Sequence, residues 1–286
     1  VVIVYMGVDW MKVRSYLFGI FVLVVIGLVS AQCPEGMVAY WRAEGDAADS
    51  IGTNDGTLHG TTFDSGIVGQ AFRFDGVDDY VELPGDILPS NNFTISLWFR
   101  RARLGEETIF THFKGYGFVI RFWEGYSRIP DNSIGAYFVT PSGGVGVGSP
   151  ETVITDYNWH NFVIVKRSDG DGIELWLDGN KASSLSYQWG EAYKLYDLAV
   201  RDYYNEIGAY HSTYQGIFFQ GAIDEIAIYN RPLTPEEKKN LEKILLYSLG
   251  GVAAGKALFD KNLPFWIRIL LGIGAGACFY AGSKIK

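Results

Sequence analysis

The sequence predicts an all-β domain in which two antiparallel sheets pack face to face and one short helix closes the chain. Three observations carry this. Between Gly36 and Asn230, short apolar runs alternate with clusters of Gly, Asp, Asn and Ser, and almost nothing repeats at the helical period. The runs show period two: Phe93, Ile95, Leu97 and Phe99 alternate with Thr94, Ser96, Trp98 and Arg100, as in a strand with two different faces. A single well-marked helix start follows the last of them, and ten or so short strands ending in one helix describe a two-sheet sandwich.

In chain order, "MKVRSYLFGIFVLVVIGLVSAQC" from Met11 has two basic residues, an apolar run and the small pair Ser30 and Ala31. It reads as a secretory signal cut after Ala31, with residues 1–10 an over-extended start. Strand candidates follow: "MVAYWR", "QAFRFDG", "YVEL", "FTISLWFR", "TIFTHF", "GFVIRFW" and "IGAYFV". "HNFVIVKR" and "IELWLDG" are joined by "SDGDG", whose glycines suit a hairpin turn. "GIFFQGAI" leads into "DEIAIYNRPLTPEEKKNLEK". There Thr234 can cap, Pro235 fits the first turn where no donor is needed, and Glu237 completes a Thr-x-x-Glu capping box.

Residues 244–286 change to Gly, Ala and large apolar side chains. Leu263 to Gly282 contains Arg268 as its only charge and is followed by Lys284 and Lys286, the pattern of a membrane anchor with its basic end inside. Gly272 with Gly276, and Gly251 with Gly255, space small residues as a self-associating helix face does. The net charge of -8 argues against a nucleic-acid partner. The two cysteines, Cys33 and Cys278, flank the domain, so residues 34–277 hold no internal disulfide and an exported domain relies on its core.

Four stretches in order, "GMVAYWRAEGDAADSIGTNDGTLHG" with "GIVGQAFRFDGVDDYVELP", "FTISLWFR", "WHNFVIVKRSDGDGIELWLDGNKAS" and "IGAYHSTYQGIFFQGAIDEIAIYNRPLTPEE", resemble the LamG-like domains of the concanavalin A-like lectin and glucanase superfamily. The resemblance spans about Gly36 to Lys243 and implies a jelly-roll sandwich over residues 34–243. That fold serves sugar-binding modules, adhesion domains and some glycoside hydrolases, so it does not select a function. The resemblance also allows a structural calcium on scattered loop oxygens, with Asp49 and Asn54 as its ligands.

Catalytic constellations are absent. Asp224 and Glu225 are adjacent in a strand-like run, so the pleat directs them to opposite faces and they make no dyad. The superfamily's hydrolytic Glu-x-Asp-x-x-Glu does not occur, and the nearest stretches, "EGDAAD" and "DGDGIE", each lack one of its glutamates. The pair is expected to differ, one buried and tied to loop amides, the other exposed. His59, His112, His160 and His211 have no zinc spacing. "GIGAGA" leaves no room for a βαβ unit after it.

The excess lies in aromatic rings. Tyr187 to Tyr214 is dense in them, and Trp189, Tyr203 and Tyr204, read as loop residues, suit the flat C–H faces of sugars. The sequence therefore predicts a non-catalytic module outside the cell, tethered to the membrane, that binds a glycan or cell-surface polymer. A structural component of a surface layer or filament is the alternative, and a divergent glycoside hydrolase the weaker one.

Overall fold

The structure is a computed structural model that describes residues 35–85, 87–89, 92–113, 117–125, 129–140, 143–167, 172–183, 185–189, 205–211 and 216–241. All lie within one compact unit, Pro34–Ser248. The expected signal (1–31) and the Gly/Ala-rich tail with its anchor (263–282) lie outside the described residues. Among the described residues no helix is long and apolar enough to cross a membrane.

Eighteen strands are described, numbered in chain order. The first sheet holds β1 (Met37–Trp41), β3 (Thr62–Ser65), β4 (Gln70–Asp75), β6 (Phe93–Arg101), β11 (His160–Lys166), β12 (Ile173–Leu177), β13 (Asn180–Ala182) and β18 (Gln220–Tyr229), in the order β13-β12-β11-β6-β18-β4-β3, with β1 also on β18. The second holds β2 (Thr57–His59), β5 (Tyr80–Glu82), β7 (Glu107–Phe113), β8 (Gly117–Phe122), β9 (Ile134–Thr140), β10 (Gly143–Gly148), β14 (Leu185–Trp189) and β15 (Asn205–Ile207), in the order β14-β10-β9-β8-β7-β15-β5-β2. A small hairpin, β16 (Ala209–His211) with β17 (Gly216–Phe218), completes the set. Every strand-to-strand pairing is antiparallel. The architecture is the predicted two-sheet, jelly-roll-like sandwich.

The core between the sheets is aromatic. Phe72, Phe99, Phe110, Phe122 and Phe162 are sealed from solvent, and Phe99 meets Phe122 edge to face at 5.5 Å. The alternation in β6 is that of a central strand: Phe93, Ile95, Leu97 and Phe99 enter this core. Its other face is covered too, because a second apolar cluster containing Tyr40, Val163, Trp176, Tyr229, Leu233 and Leu241 lies on the far side of the first sheet.

The closing helix covers that side. Residues 235–241 are helical, and the predicted capping box forms: Glu237 N donates to Thr234 Oγ1 at 3.3 Å while Thr234 N donates to Glu237 Oε2 at 2.8 Å. Lys238 is buried, its ammonium 2.7 Å from Glu174 Oε2 and 4.2 Å from the centre of the Trp176 ring. Thr94 ties β6 to the segment entering the helix, donating to Arg231 O and accepting from Leu233 N.

The longest strand, β18, changes partner midway. Gln220–Ile223 pair with β4, Ile226–Tyr229 pair with β1, and the register against β6 slips between Asp224 and Ala227. Glu225 sits there at φ +52, a left-handed conformation that side-chain-bearing residues adopt rarely. The bulge overturns the strict alternation expected at this point: Asp224 and Glu225 are both buried.

Candidate functional site: an aromatic and carboxylate row at one edge of the second sheet

β2, β5 and β15 form one end of the second sheet. Along β5, Val81 enters the core, so the pleat turns Tyr80 and Glu82 to the opposite face. Pairing then places Glu82 directly beside Glu206 of β15 on one side and Thr57 on the other, while Tyr80 stands beside His59. Carboxylates opposed across a ladder lie about 4.5–5.5 Å apart at Cβ and destabilise a sheet unless compensated. Each has a histidine: His59 Nε2 is 2.9 Å from Glu82 Oε2, and His211 Nδ1 is 2.7 Å from Glu206 Oε1.

The rings continue the row. His59 lies flat on Tyr80 with centroids 4.2 Å apart and planes 5° from parallel, Tyr80 meets His211 edge to face at 4.6 Å, and His211 meets Phe218 at 5.1 Å. All four rings are partly open to solvent. Glu206 is 3% exposed and its Oε2 has no hydrogen-bond partner among the described residues, whereas the Glu82 side chain is 61% exposed. An unpartnered buried carboxylate oxygen costs on the order of 1–3 kcal/mol and is retained where something else supplies a donor. The hydrogen bond from Glu206 raises the His211 pKa above the ordinary imidazole range against the effect of burial. Burial, then Glu206 and Glu82, push the Tyr80 hydroxyl upward, which locates both carboxylates around that ring.

The sequence did not single out this row, because its members come from five strands as far apart in the chain as His59 and Phe218. The available signal was the alternation of Tyr80, Val81 and Glu82, which marks outward positions without naming their neighbours.

Of the residues the sequence did single out, Trp189 is the last residue of β14, paired with Gly144, and not the turn residue expected. Extended pairing to β10 carries the strand through it. Tyr203 and Tyr204 lie outside the described residues. Asn205, which follows Tyr204, begins β15 five strand positions from β14, about 24 Å along the sheet at ~4.8 Å per strand. Trp189 is therefore not a neighbour of the Tyr80 row.

A calcium on Asp49 and Asn54, which the resemblance allows, does not fit the donors around them. Asp49 accepts from the amides of Tyr40, Ile51 and Asn54 and from the Asn54 side-chain nitrogen at 2.7 Å, so Asn54 presents a donor and not an oxygen. These bonds hold the Asp49 pKa below the ordinary range despite burial, which opposes them most strongly. The pair folds the loop after β1. Asp75, Asp78 and Asp79 bring carboxylate oxygens within 4.8 Å of one another. There too Asp75 accepts from the amides of Val77 and Asp78, and Asp79 from that of Asp75, as a turn requires.

Asp224 and Glu225 support the bulge. Asp224 accepts from the amides of Ile67 (2.8 Å), Val68 (3.1 Å) and Glu225 (2.8 Å), tying the loop after β3 to β18, as expected. Glu225 is not the exposed neighbour: it accepts from the Tyr40 hydroxyl of β1. His160 is also structural, held between Asp178 at 2.8 Å and Asp156 at 3.1 Å, and Trp176 and Tyr210 are sheet residues.

The fold and this site define a jelly-roll-like sandwich with a partly open row of rings and carboxylates at one end of its second sheet. The chain belongs to the concanavalin A-like lectin/glucanases superfamily, whose laminin G type family model matches residues 75–237, more than half of its length. The match begins at the end of β4, so β1, which pairs with the matched β18, precedes it.

Three solved structures are similar in fold. Domain 4 of AbnA, an extracellular arabinanase of family GH43 from Geobacillus stearothermophilus in complex with arabinotriose, shares 18% identity at a TM-score of 0.55, over 72% of this chain and 98% of that one. The binding domain of botulinum neurotoxin DC in complex with SialylT shares 12% at 0.51, over 74% and 52%. The same toxin domain in complex with rat synaptotagmin II shares 14% at 0.50, over 74% and 52%. The chain thus spans about half the length of the neurotoxin domains. Comparison with curated proteins gives no match.

Proposed function

We propose that this protein is a non-catalytic glycan-binding module, displayed outside the cell and tethered to its membrane. The observation that carries the binding is the Tyr80 row: a partly open ring in a continuous stack, beside the open carboxylate of Glu82. Rings present a face to sugar C–H groups, and carboxylates accept from sugar hydroxyls. Two of the similar structures are named as complexes with arabinotriose and SialylT, which supports the ligand class. Glu206 is sealed from solvent and held by His211, which keeps it from attack at an anomeric carbon, while Glu82 is open and can accept from a sugar hydroxyl.

The test is a glycan array probed with the full chain, followed by affinity for the best member. Tyr80→Ala is expected to weaken binding about ten-fold or more, ~1.4 kcal/mol, with the thermal midpoint little changed because the ring is half open. The bound sugar should be recovered intact. Undiminished affinity in Tyr80→Ala removes the site, and cleavage of the sugar removes the non-catalytic reading.

Export and tethering rest on the sequence of Met11–Ala31 and Leu263–Gly282. The full chain is expected in the detergent phase of a Triton X-114 separation, and a form ending at Lys243 in the aqueous phase. Full-length protein in the aqueous phase at ordinary ionic strength would contradict the anchor.

A further inference from the structure

We infer that the Tyr80 site selects uncharged oligosaccharides and rejects those carrying carboxylate or sulfate groups. This rests on the glycan reading above and deepens it. The charge around the ring is almost entirely negative. Glu82 and Glu206 flank Tyr80, and Asp79 precedes it, with the oxygens of Asp75 and Asp78 within 4.8 Å of its own. Asp75 and Asp78 are exposed.

The opposing positive charge is already engaged. His59 is bound to Glu82 and His211 to Glu206, so a protonated imidazole in either place neutralises its own carboxylate and offers little to a ligand. Arg73 acts on Asp79, but its guanidinium is directed to Asp64 at 4.0 Å and is 61% exposed. The site also differs from one built for anions in its hydrogen-bonding sense. Its open polar group, the Glu82 carboxylate with a side chain 61% exposed, is an acceptor, which a sugar hydroxyl satisfies and an anionic oxygen does not. Among the described residues, the arginine that reaches the row, Arg103, is already held by Glu107 Oε1 and Phe218 O, so none offers the free fork that recognises carboxylate or sulfate bidentately.

The experiment uses the full chain on an array of matched pairs: each uronic acid oligomer beside its methyl ester, and each sialylated glycan beside its asialo form, in EDTA so that no divalent cation bridges acid to acid. For pairs that bind, the neutral member is expected to bind roughly ten-fold or more tightly. The gap should narrow as sodium chloride rises and screens the carboxylates, and should narrow again in Glu82→Gln, which removes the exposed charge beside Tyr80. Equal binding of both members, or preference for the acidic one, overturns the selectivity; if that binding still falls in Tyr80→Ala, the glycan reading survives. Retention of no glycan at all overturns both.

Discussion

Arg101→Ala is expected to cost the domain about 3–5 kcal/mol, read as a lowered urea midpoint. Arg101 ends β6 with its side chain wholly buried against an equally buried Glu107, Nε to Oε2 at 2.9 Å. Its other nitrogens donate to Asn132 Oδ1, Ile154 O and Gly105 O, and the guanidinium lies 3.7 Å from the centre of the Phe122 ring. Glu107 also accepts from Arg103 Nε and Gln220 N, so one ion pair fixes β6, β7, β18 and three loops. Burial alone lowers the Arg101 pKa and raises that of Glu107, and the partners offset this only in part. Truncating the arginine strands a carboxylate with Arg103 as its remaining cation. Arg101→Met with Glu107→Leu should lose less than either truncation, because no charge is then left unpaired. A cost below 1 kcal/mol for Arg101→Ala would show that the network is not holding that end.

Asp224→Ala should cost about 3 kcal/mol or more, since three amides lose their acceptor at once. Glu225→Ala is also expected to destabilise, by roughly 1–3 kcal/mol, because it leaves the Tyr40 hydroxyl without its partner. The two share the direction of their pH behaviour. Burial, and for Asp224 the nearby Glu225, push both carboxyls upward, Glu225 to about 7. A carboxyl that holds its proton more tightly in the folded state stabilises the fold below its unfolded pKa. That contribution fades as pH rises to the folded one. Stability should therefore decline from the ordinary carboxylate range near pH 4.5 to about pH 7, and Glu225→Gln should flatten that slope. A urea midpoint in Glu225→Gln that keeps the wild-type slope between those values would rule the glutamate out as its source.

Both predictions depend on side chains whose roles have different visibility in the sequence. That one of Asp224 and Glu225 holds loop amides follows from acidic residues in a strand of apolar neighbours, where a buried carboxylate must find donors; that it is Asp224 came from the structure. That Glu225 is buried beside it does not. Period two sends neighbours to opposite faces, and only the partner change of β18 from β4 to β1 opens the gap that takes both.

The sequence by itself determined the class of fold, the faces of β6, the hairpin from β11 to β12 and the helix cap at Thr234. In each of these the deciding forces act between residues close in the chain: alternation of apolar side chains, glycine in turns, and a hydroxyl and a carboxylate three residues apart. Tertiary structure alone decided the Tyr80 row, the ion pair at Arg101 and the extension of β14 through Trp189. Those depend on register and on strand order, where β5 lies between β2 and β15 although more than a hundred residues separate Glu82 from Glu206. Local pattern says which side of a strand a residue occupies. Which residue stands beside it is settled by the long-range packing of two complete sheets over one core.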